Sequence, residues 1–303
     1  MAENSEESER LRVLQLDEEL RGMPSEVRNI LNPVRLTGED KLIFSCHPGI
    51  SCFNVCCNNI EIILTPYDIL RLRRRLKISS DLFLYNYATP TTLAKGQLPV
   101  PLMRMDEKTG RCPFNTDEGC SVYEDRPVTC RYYPVGMALM HKQDTKGDEE
   151  FYFLIKEDFC KGHEEKKDWT VFEWRKDQGS DGYDKENRGW MELILKRRSA
   201  GDAVNTSVQL SEFFYMASTD PGAFRKFIFE STFLKRYSVN EETQENLRND
   251  EQYVTEFAFA WLRTVLFGEK NIEVRPEAVE EMKNRKPKQR TEDDPESPDV
   301  GVE

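Results

Sequence analysis

Cysteines are the residues of this chain whose types and spacing could do chemistry. All eight lie between Cys46 and Cys160 of the 303 residues. The first cysteine segment carries Cys46, Cys52, Cys56 and Cys57, the second carries Cys112, Cys120 and Cys130, and Cys160 follows alone. A cysteine that only fills a core behaves as a small hydrophobe and has no reason to cluster. Clustered thiols in a chain without an export signal usually hold a metal, so the sequence predicts a metal–thiolate protein.

The adjacent pair Cys56-Cys57 limits how these thiols could share metal ions. Neighbouring side chains diverge by about 180° in a strand and about 100° in a helix, so two adjacent thiols fit poorly onto one small ion. Either Cys56 and Cys57 serve different sites, or they bind different irons of one cluster. In both cases we expect the two cysteine segments to interleave in space, with residues 60–77 as the scaffold between them.

Charged neighbours of the cysteines could compensate for thiolate charge. Arg111, Arg126 and Arg131 each lie beside a cysteine, and guanidinium groups can offset the negative charge of a four-thiolate site. Arg131 could equally be an ordinary surface residue. Pro127 suits the first position of a helix, which would place Cys130 on the first turn, where the helix dipole favours a thiolate.

Histidine offers few alternative ligands. The chain has three histidines, His47, His141 and His163. His163 follows Cys160 at a spacing that could serve one metal, although a surface position is the simpler expectation for it and for His47. Because no HExxH-type pair is present, an ordinary zinc hydrolase site is not expected.

The two cysteine segments together resemble the YkgJ-type cysteine-cluster family, a zinc- or iron-chelating domain named for a CxxCxxCC signature. The resemblance rests on the Cys56-Cys57 doublet, on Cys112-Pro-Phe, and above all on the run from Cys120 to Pro134, which includes Arg126-Pro127. It covers roughly residues 40–165. The first segment here reads C-x5-C-x3-CC rather than C-x2-C-x2-CC, so its ligand loop is wider. The resemblance implies seven metal ligands, namely Cys46, Cys52, Cys56, Cys57, Cys112, Cys120 and Cys130.

Cys160 is our own addition to that ligand set. It follows a predicted strand at residues 151–155 and brings the total to eight, which would fill two sites of four thiolates, for zinc or for iron–sulfur clusters. A related group, the flagellin lysine N-methylases, carries a similar cysteine cluster. The alternative to a metal-binding protein is therefore a cluster-containing enzyme with a substrate groove against residues 166–275. Reduced cysteines in a scaffold, or disulfides in an exported protein, are the remaining interpretation.

Composition narrows the class of protein and its partners. The formal charge is −12 and the pI is near 5.0, so a nucleic-acid partner is not expected. The arginine-rich stretch at residues 71–77 is interpreted as the solvated face of an amphipathic helix. No apolar run approaches the roughly 18 residues that span a bilayer, and the acidic start lacks the features of a secretory signal. We expect a cytoplasmic protein whose partners are metal ions, with no membrane association.

The elements that position the cysteines suggest an α+β fold. It is expected to be mostly helical, with a few short strands around the cysteine-rich core and a C-terminal helical region. The predicted parts are residues 1–38 (an extension with a helix near 17–31), 39–165 (the metal-binding domain), 166–275 (helices) and 276–303 (a disordered tail).

Local signals predict several individual elements. Residues 60–64 are rich in β-branched residues and predict a strand. Thr65, Pro66 and Asp68 form a capping signature for a helix that buries Ile69, Leu72 and Leu76. In the C-terminal half, three further helices are indicated around Trp190, after Asp220-Pro221, and from Tyr253 to Gly268.

Overall fold

The protein is described by a computed structural model covering residues 31–92, 97–141, 148–200, 207–278 and 280. The α+β expectation is confirmed: helices predominate and the strands are short. In chain order the strands are β1 Leu31–Leu36, β2 Lys41–Ile43, β3 Ala88–Thr91, β4 Val100–Met103, β5 Asn115–Thr116, β6 Gly119–Cys120, β7 Val135–His141, β8 Asp148–Ile155 and β9 Asp168–Thr170.

The described helices fall within and after the cysteine region. They are α1 Pro66–Leu76, α2 Ser80–Tyr87, α3 Val128–Tyr132, α4 Val171–Gln178, α5 Ser180–Ser199, α6 Val208–Thr219, α7 Pro221–Glu230, α8 Phe233–Arg236, α9 Glu241–Asn249 and α10 Glu251–Phe267. Short 3-10 helices cover Val55–Cys57, Tyr123–Asp125 and Lys161–Glu164.

The described strands form small antiparallel sheets. One has three strands in the order β1-β8-β7, and the pairs β2-β9, β3-β4 and β5-β6 complete the set. The predicted strand at residues 151–155 is therefore confirmed as part of β8. Because β2 and β9 pair across residue 165, the structure ties the predicted metal-binding domain to the chain that follows it.

Three clusters of buried apolar residues support this architecture. The helical core is built by α5 to α10 and includes Phe214, Phe224 and Trp261. The α1 core gathers residues of α1, α2 and β4 with the second cysteine segment. The sheet core joins β2, β7 and β8 to α4 through side chains such as Phe44 and Trp174.

Helix α1 begins where the sequence predicted. Thr65 caps the helix by accepting a hydrogen bond from the Asp68 backbone N–H, and the Asp68 carboxylate accepts one in return from the Thr65 N–H. Ile69 and Leu72 are fully buried and Leu76 is half-buried, which confirms the predicted apolar face.

Residues 60–64 differ from the prediction, because they do not form a regular strand. They run in extended form beside β4 and make an isolated bridge between Ile63 and Leu102. Ile62 and Leu64 are buried on one side, while Ile63 packs on the helical core on the other. The β-branched composition thus reflects burial on both faces rather than a continuous ladder of hydrogen bonds.

The C-terminal helices follow their predicted signals. Trp190 and Leu193 are buried on α5, and the Asp220 side chain caps α7 by accepting from the Ala223 N–H. Gly268 ends α10 with φ of 69°, the left-handed conformation that glycine adopts without cost.

Two predictions concern the ends of the chain. The predicted helix near 17–31 lies outside the described residues except for Leu31, which begins β1. Within the predicted disordered tail, residues 276–278 are helical and Ala278 is buried. Its remainder, apart from residue 280, lies outside the described residues.

In the described part of the chain, no helix combines the length and the apolar composition needed to cross a lipid bilayer.

Candidate metal centre

A backbone junction joins the two cysteine segments. The Cys112 N–H donates to the Cys57 carbonyl at 2.9 Å, and the Asn59 N–H donates to the Gly110 carbonyl at 2.8 Å. An antiparallel bridge between Asn58 and Arg111 lies between these two bonds. Residues more than fifty positions apart in sequence are therefore held side by side, as the interleaving of the two segments predicted.

The second cysteine segment continues from this junction through a tight hairpin. Strands β5 and β6 pair Asn115 with Cys120. The hairpin is also tied back to the first segment, because the Asn54 side chain donates to the Thr116 carbonyl at 3.1 Å. Cys112 and Cys120 are thereby placed on one side of the α1 core.

Helix α3 brings Cys130 to the same place. Pro127 precedes the helix as its cap residue rather than occupying its first turn, and Cys130 does lie on that turn. The Val128 N–H donates to the Asp68 carboxylate at 2.8 Å. The start of α3 is thus fixed to the start of α1, sixty residues earlier in the chain.

The remaining cysteines meet where the first cysteine segment contacts the chain around Cys160. The Lys161 N–H donates to the Cys52 sulfur at 3.1 Å, and the Ser45 N–H donates to the Gly162 carbonyl at 3.0 Å. These bonds hold the short helix Lys161–Glu164 against the turn that carries Cys46. Cys160 is placed beside Cys52 as a result.

The thiols that influence the pKa of Cys46 define a first set of four. Partial burial of its sulfur, with smaller contributions from the thiols of Cys56, Cys52 and Cys160, raises the pKa of Cys46 to about 11. Burial likewise raises the pKa of Cys160, with smaller contributions from Cys52 and Cys56. We call these four residues the outer group: Cys46, Cys52, Cys56 and Cys160.

The other four thiols form the second set. Burial raises the pKa of Cys130, followed by the effects of Cys112 and Cys120. Burial also raises the pKa of Cys112, and Cys120 adds to that shift. The interaction with Cys56 and burial are the largest causes that raise the pKa of Cys57, and the charges of Cys130 and Cys112 add to them. We call this set the inner group: Cys57, Cys112, Cys120 and Cys130.

The doublet divides between the two groups and joins them. The Cys57 thiol donates a hydrogen bond to the Cys56 sulfur, which lowers the pKa of Cys56 and raises that of Cys57. Both residues belong to the 3-10 helix Val55–Cys57. The two groups therefore share a boundary at this doublet.

Helix α3 does not make Cys130 an easily ionised thiol. The residue is half-buried, yet its sulfur lies deep enough that burial is the largest cause of its raised pKa. In the free thiol form, burial thus outweighs the effect expected from the start of a five-residue helix.

The arginines beside the cysteines have different roles from one another. Arg131 is buried and donates to the carbonyls of Glu124, Arg126 and Gln178 and to the Tyr183 hydroxyl. It is neither a surface residue nor a donor to a described sulfur. It fixes the loop before α3 to the end of α4.

The other two arginines beside cysteines, Arg126 and Arg111, make different contacts. Arg126 is buried above the Tyr123 ring, and its charge lowers the pKa of Cys120, opposing the larger effect of burial. It is the arginine of the three that supports the predicted charge compensation. Arg111 pairs with the exposed Asp117 at 2.9 Å.

The histidines are engaged elsewhere where their side chains are described. His163 Nε2 lies 3.0 Å from the Ile155 carbonyl, and its ring packs edge-on against Phe44. His47 accepts from the Gly49 N–H at 3.1 Å through Nδ1. The structure describes the backbone of His141 but not its side chain.

The cysteine thiols suit a thiophilic metal both in ligand type and in ligand number. All eight cysteines lie in the described part and are free thiols, and four thiolates are a complete ligand set for zinc or for an iron–sulfur cluster. Among the described residues, however, no three His, Cys, Asp or Glu side chains already stand in an ion-holding arrangement. Binding therefore requires the thiols of a group to draw together.

A shallow cavity lies between α1 and the C-terminal helices, away from the cysteines. Its lining residues belong to α1, α5, α6, α7 and α10 and include Tyr67, Arg73 and Thr219. Because no cysteine lines it, this cavity does not place a substrate beside the thiols.

Comparison with known proteins agrees with this geometry. Residues 45–173 match the family model described as "CxxCxxCC: Putative zinc- or iron-chelating domain". These residues are thus similar to that domain family. The resemblance inferred from the sequence is thereby confirmed, and the matched residues contain both cysteine groups, strand β9 and the first residues of α4. No curated protein and no solved structure matches the chain.

Sequence reasoning missed two residues that position the cysteines. Asp68 was recognised as a helix cap, but its second bond, to Val128, connects positions that no local pattern relates. Gly162 was not singled out, although a Cβ there would lie 2.8 Å from the Ser45 carbonyl oxygen. The Cys-Lys-Gly-His spacing drew attention to His163 instead.

Proposed function

We propose that this protein binds zinc or iron through its eight cysteine thiols, with the inner and outer groups each holding one metal centre. The observation that carries the proposal is that the fold brings free thiols from distant segments together, because Cys112, Cys120 and Cys130 pack against one core and the backbone beside Cys160 binds the Cys52 sulfur. The family description of residues 45–173 supports the same chemistry.

The chemistry of the thiols explains how such a site would form. Metals bind the thiolate, so each ligand must lose its proton on binding. Burial raises the pKa of Cys46, Cys112 and Cys130, so these thiols stay protonated at neutral pH until a cation replaces the protons. The positive charge of Arg126 favours the thiolate of Cys120. A thiophilic cation would supply the charge that offsets the remaining thiolates.

A bound metal would also act on the fold. The inner group joins residues 57, 112, 120 and 130, and the outer group joins residues 46 and 160, so each centre would cross-link distant parts of the chain. Binding energy at such sites contributes directly to folding. We propose a role in structure or sensing in the cytoplasm, where thiols remain reduced.

Metal analysis of the full chain tests the proposal. Protein prepared without oxygen should contain zinc, or iron with acid-labile sulfide, at two centres per chain. A colourless protein identifies zinc, whereas a brown protein absorbing near about 400 nm identifies iron–sulfur clusters. The proposal is wrong if the chain binds neither metal after incubation with Zn²⁺, or with Fe²⁺ and sulfide, under reducing conditions.

Single substitutions test the coupling between binding and folding. Cys57→Ser and Cys130→Ser should each lose the inner centre and unfold the N-terminal half of the molecule. Ser121→Ala, in the same segment, removes a hydroxyl rather than a thiol and serves as the control. Full metal content together with unchanged melting in both cysteine variants would contradict the coupling.

A further inference from the structure

The two cysteine groups differ in how they are built into the protein. In the inner group, Cys112, Cys120 and Cys130 all pack against the α1 core. Between and beside them, Phe114 and Val122 are buried side chains of that core. An ion held there would be enclosed by the same packing that holds α1 in place.

The outer group begins in an exposed stretch of chain, and its other three cysteines are half-buried. Cys46 is exposed, and the following residues His47, Pro48 and Gly49 are exposed as well. Of the four outer cysteines, Cys160 is the one that contacts an apolar core. The Cys52 sulfur is held by a backbone N–H of an exposed residue, Lys161.

The connections behind each group reinforce this contrast. The inner group is fixed by the backbone junction at Cys57 and Cys112, by the β5-β6 hairpin and by the half-buried bond from Val128 to Asp68. Apart from Cys56, which shares a 3-10 helix with Cys57, the outer group depends mainly on the contact of the 3-10 helix Lys161–Glu164 with residues 44 and 45. Opening the outer group requires separation of this one contact, whereas opening the inner group requires disruption of the α1 core.

We infer that the outer group is an exchange site for a thiophilic divalent cation, while the inner group holds a structural ion. This inference rests on the proposed function and deepens it by assigning different roles to the two groups. Chelators would gain access to an ion held by the outer group at the exposed Cys46, whereas an ion held by the inner group would be retained while the α1 core remains folded.

Metal release from the full chain, loaded with Zn²⁺, is the test. A chromogenic zinc chelator in excess should remove the metal in two phases of equal amplitude, with rates that differ at least tenfold. During the fast phase, alkylation followed by peptide mass spectrometry should label Cys46, Cys52 and Cys160. Labelling of Cys112, Cys120 and Cys130 should follow the slow phase.

Matched variants assign each phase to a group. Cys46→Ser should remove the fast phase and leave one slowly released ion, whereas Ser51→Ala, an exposed non-thiol change in the same turn, should retain both phases. Release in one phase, or earlier labelling of the inner cysteines, overturns the inference while leaving metal binding intact. A wild-type chain that takes up no Zn²⁺ overturns the proposed function itself.

Discussion

Asp68 shows how one side chain can position a metal site that it does not join. Its buried carboxylate accepts hydrogen bonds from the N–H groups of Thr65 and Val128. Burial is the largest cause that raises its pKa to about 6, so the protein retains this carboxyl despite a desolvation cost. The two bonds align α1 with α3 and so place Cys130 against the α1 core.

Replacing Asp68 with alanine should therefore destabilise the protein strongly. Asp68→Ala leaves two backbone N–H groups buried without acceptors, and each such group costs about 1–3 kcal/mol. We expect a loss of about 2–4 kcal/mol in the free energy of unfolding, measured by urea titration.

Asp117 provides the control for this change. Its side chain is 95% exposed and pairs with Arg111 on the surface, so Asp117→Ala should change stability by no more than about 0.5 kcal/mol. Equal stability of the two variants would show that the Asp68 bonds contribute nothing.

Single residues also show where sequence reasoning stops. The Thr65–Asp68 cap was predictable because its partners lie three residues apart. The partners of Arg131 include Gln178 and Tyr183, about fifty positions away. Charge compensation was a reasonable hypothesis for an arginine beside a cysteine, but only the folded chain reveals that carbonyl oxygens occupy its donors.

Among the elements, the 3-10 helix Lys161–Glu164 packs tightly against its neighbour. A Cβ at Gly162 would lie 2.5 Å from the Phe44 ring and 2.8 Å from the Ser45 carbonyl oxygen. Backbone atoms cannot move aside as a flexible side chain can. The contact that brings Cys160 to the outer group therefore depends on the absence of a side chain at this position.

Gly162→Ala should weaken this contact and the outer group with it. Overpacking of this kind costs about 1–3 kcal/mol, and thermal unfolding monitored by circular dichroism should show a lower midpoint. The fast phase of zinc release should accelerate or vanish, while the slow phase stays unchanged.

Gly182→Ala is the matched glycine control. Gly182 is exposed on α5 and a Cβ there would meet nothing within 4 Å. Alanine in a helix should stabilise the protein by about 0.5–1 kcal/mol. A Gly162→Ala protein that behaves like this control would contradict the proposed role of the close contact.

Elements with strong local signals were predictable, and those defined by distant partners were not. Helices α1, α7 and α10 carry caps and apolar faces within a few turns of sequence. Residues 60–64 had the composition of a strand, but they contact different cores with alternate side chains. Their hydrogen-bonding partner, β4, lies some forty residues later and offers them an isolated bridge.

In the whole molecule, α1 joins the cysteine-rich part of the chain to the C-terminal helices. The arginine-rich face of α1 is not simply solvated as predicted, because Arg73 and Arg74 both pair with Glu251 at the start of α10. The Arg73 side chain is only 13% exposed. The pair thus lies largely within the junction between the two parts.

Glu251→Gln should loosen that junction. The substitution leaves the half-buried Arg73 without its counter-charge, and we expect a loss of about 1–3 kcal/mol in unfolding free energy. Chemical denaturation at low and high salt measures the effect.

Glu192→Gln serves as the comparison, since Glu192 pairs with Arg263 between C-terminal helices and its side chain is 48% exposed. That change should cost no more than about 1 kcal/mol. If Glu251→Gln costs no more than Glu192→Gln, the junction does not depend on this carboxylate.

Strand β4 contributes side chains to two cores, which limits where the chain can be cut. Val100 belongs to the helical core and Met103 to the α1 core, so the two cores approach within about 10 Å along one strand. A circular permutant or a split-protein pair that opens the backbone inside β4 would remove packed side chains from both the helical core and the α1 core. Such a protein should lose metal binding by the cysteines and packing of the C-terminal helices at the same time, even if its fragments are soluble.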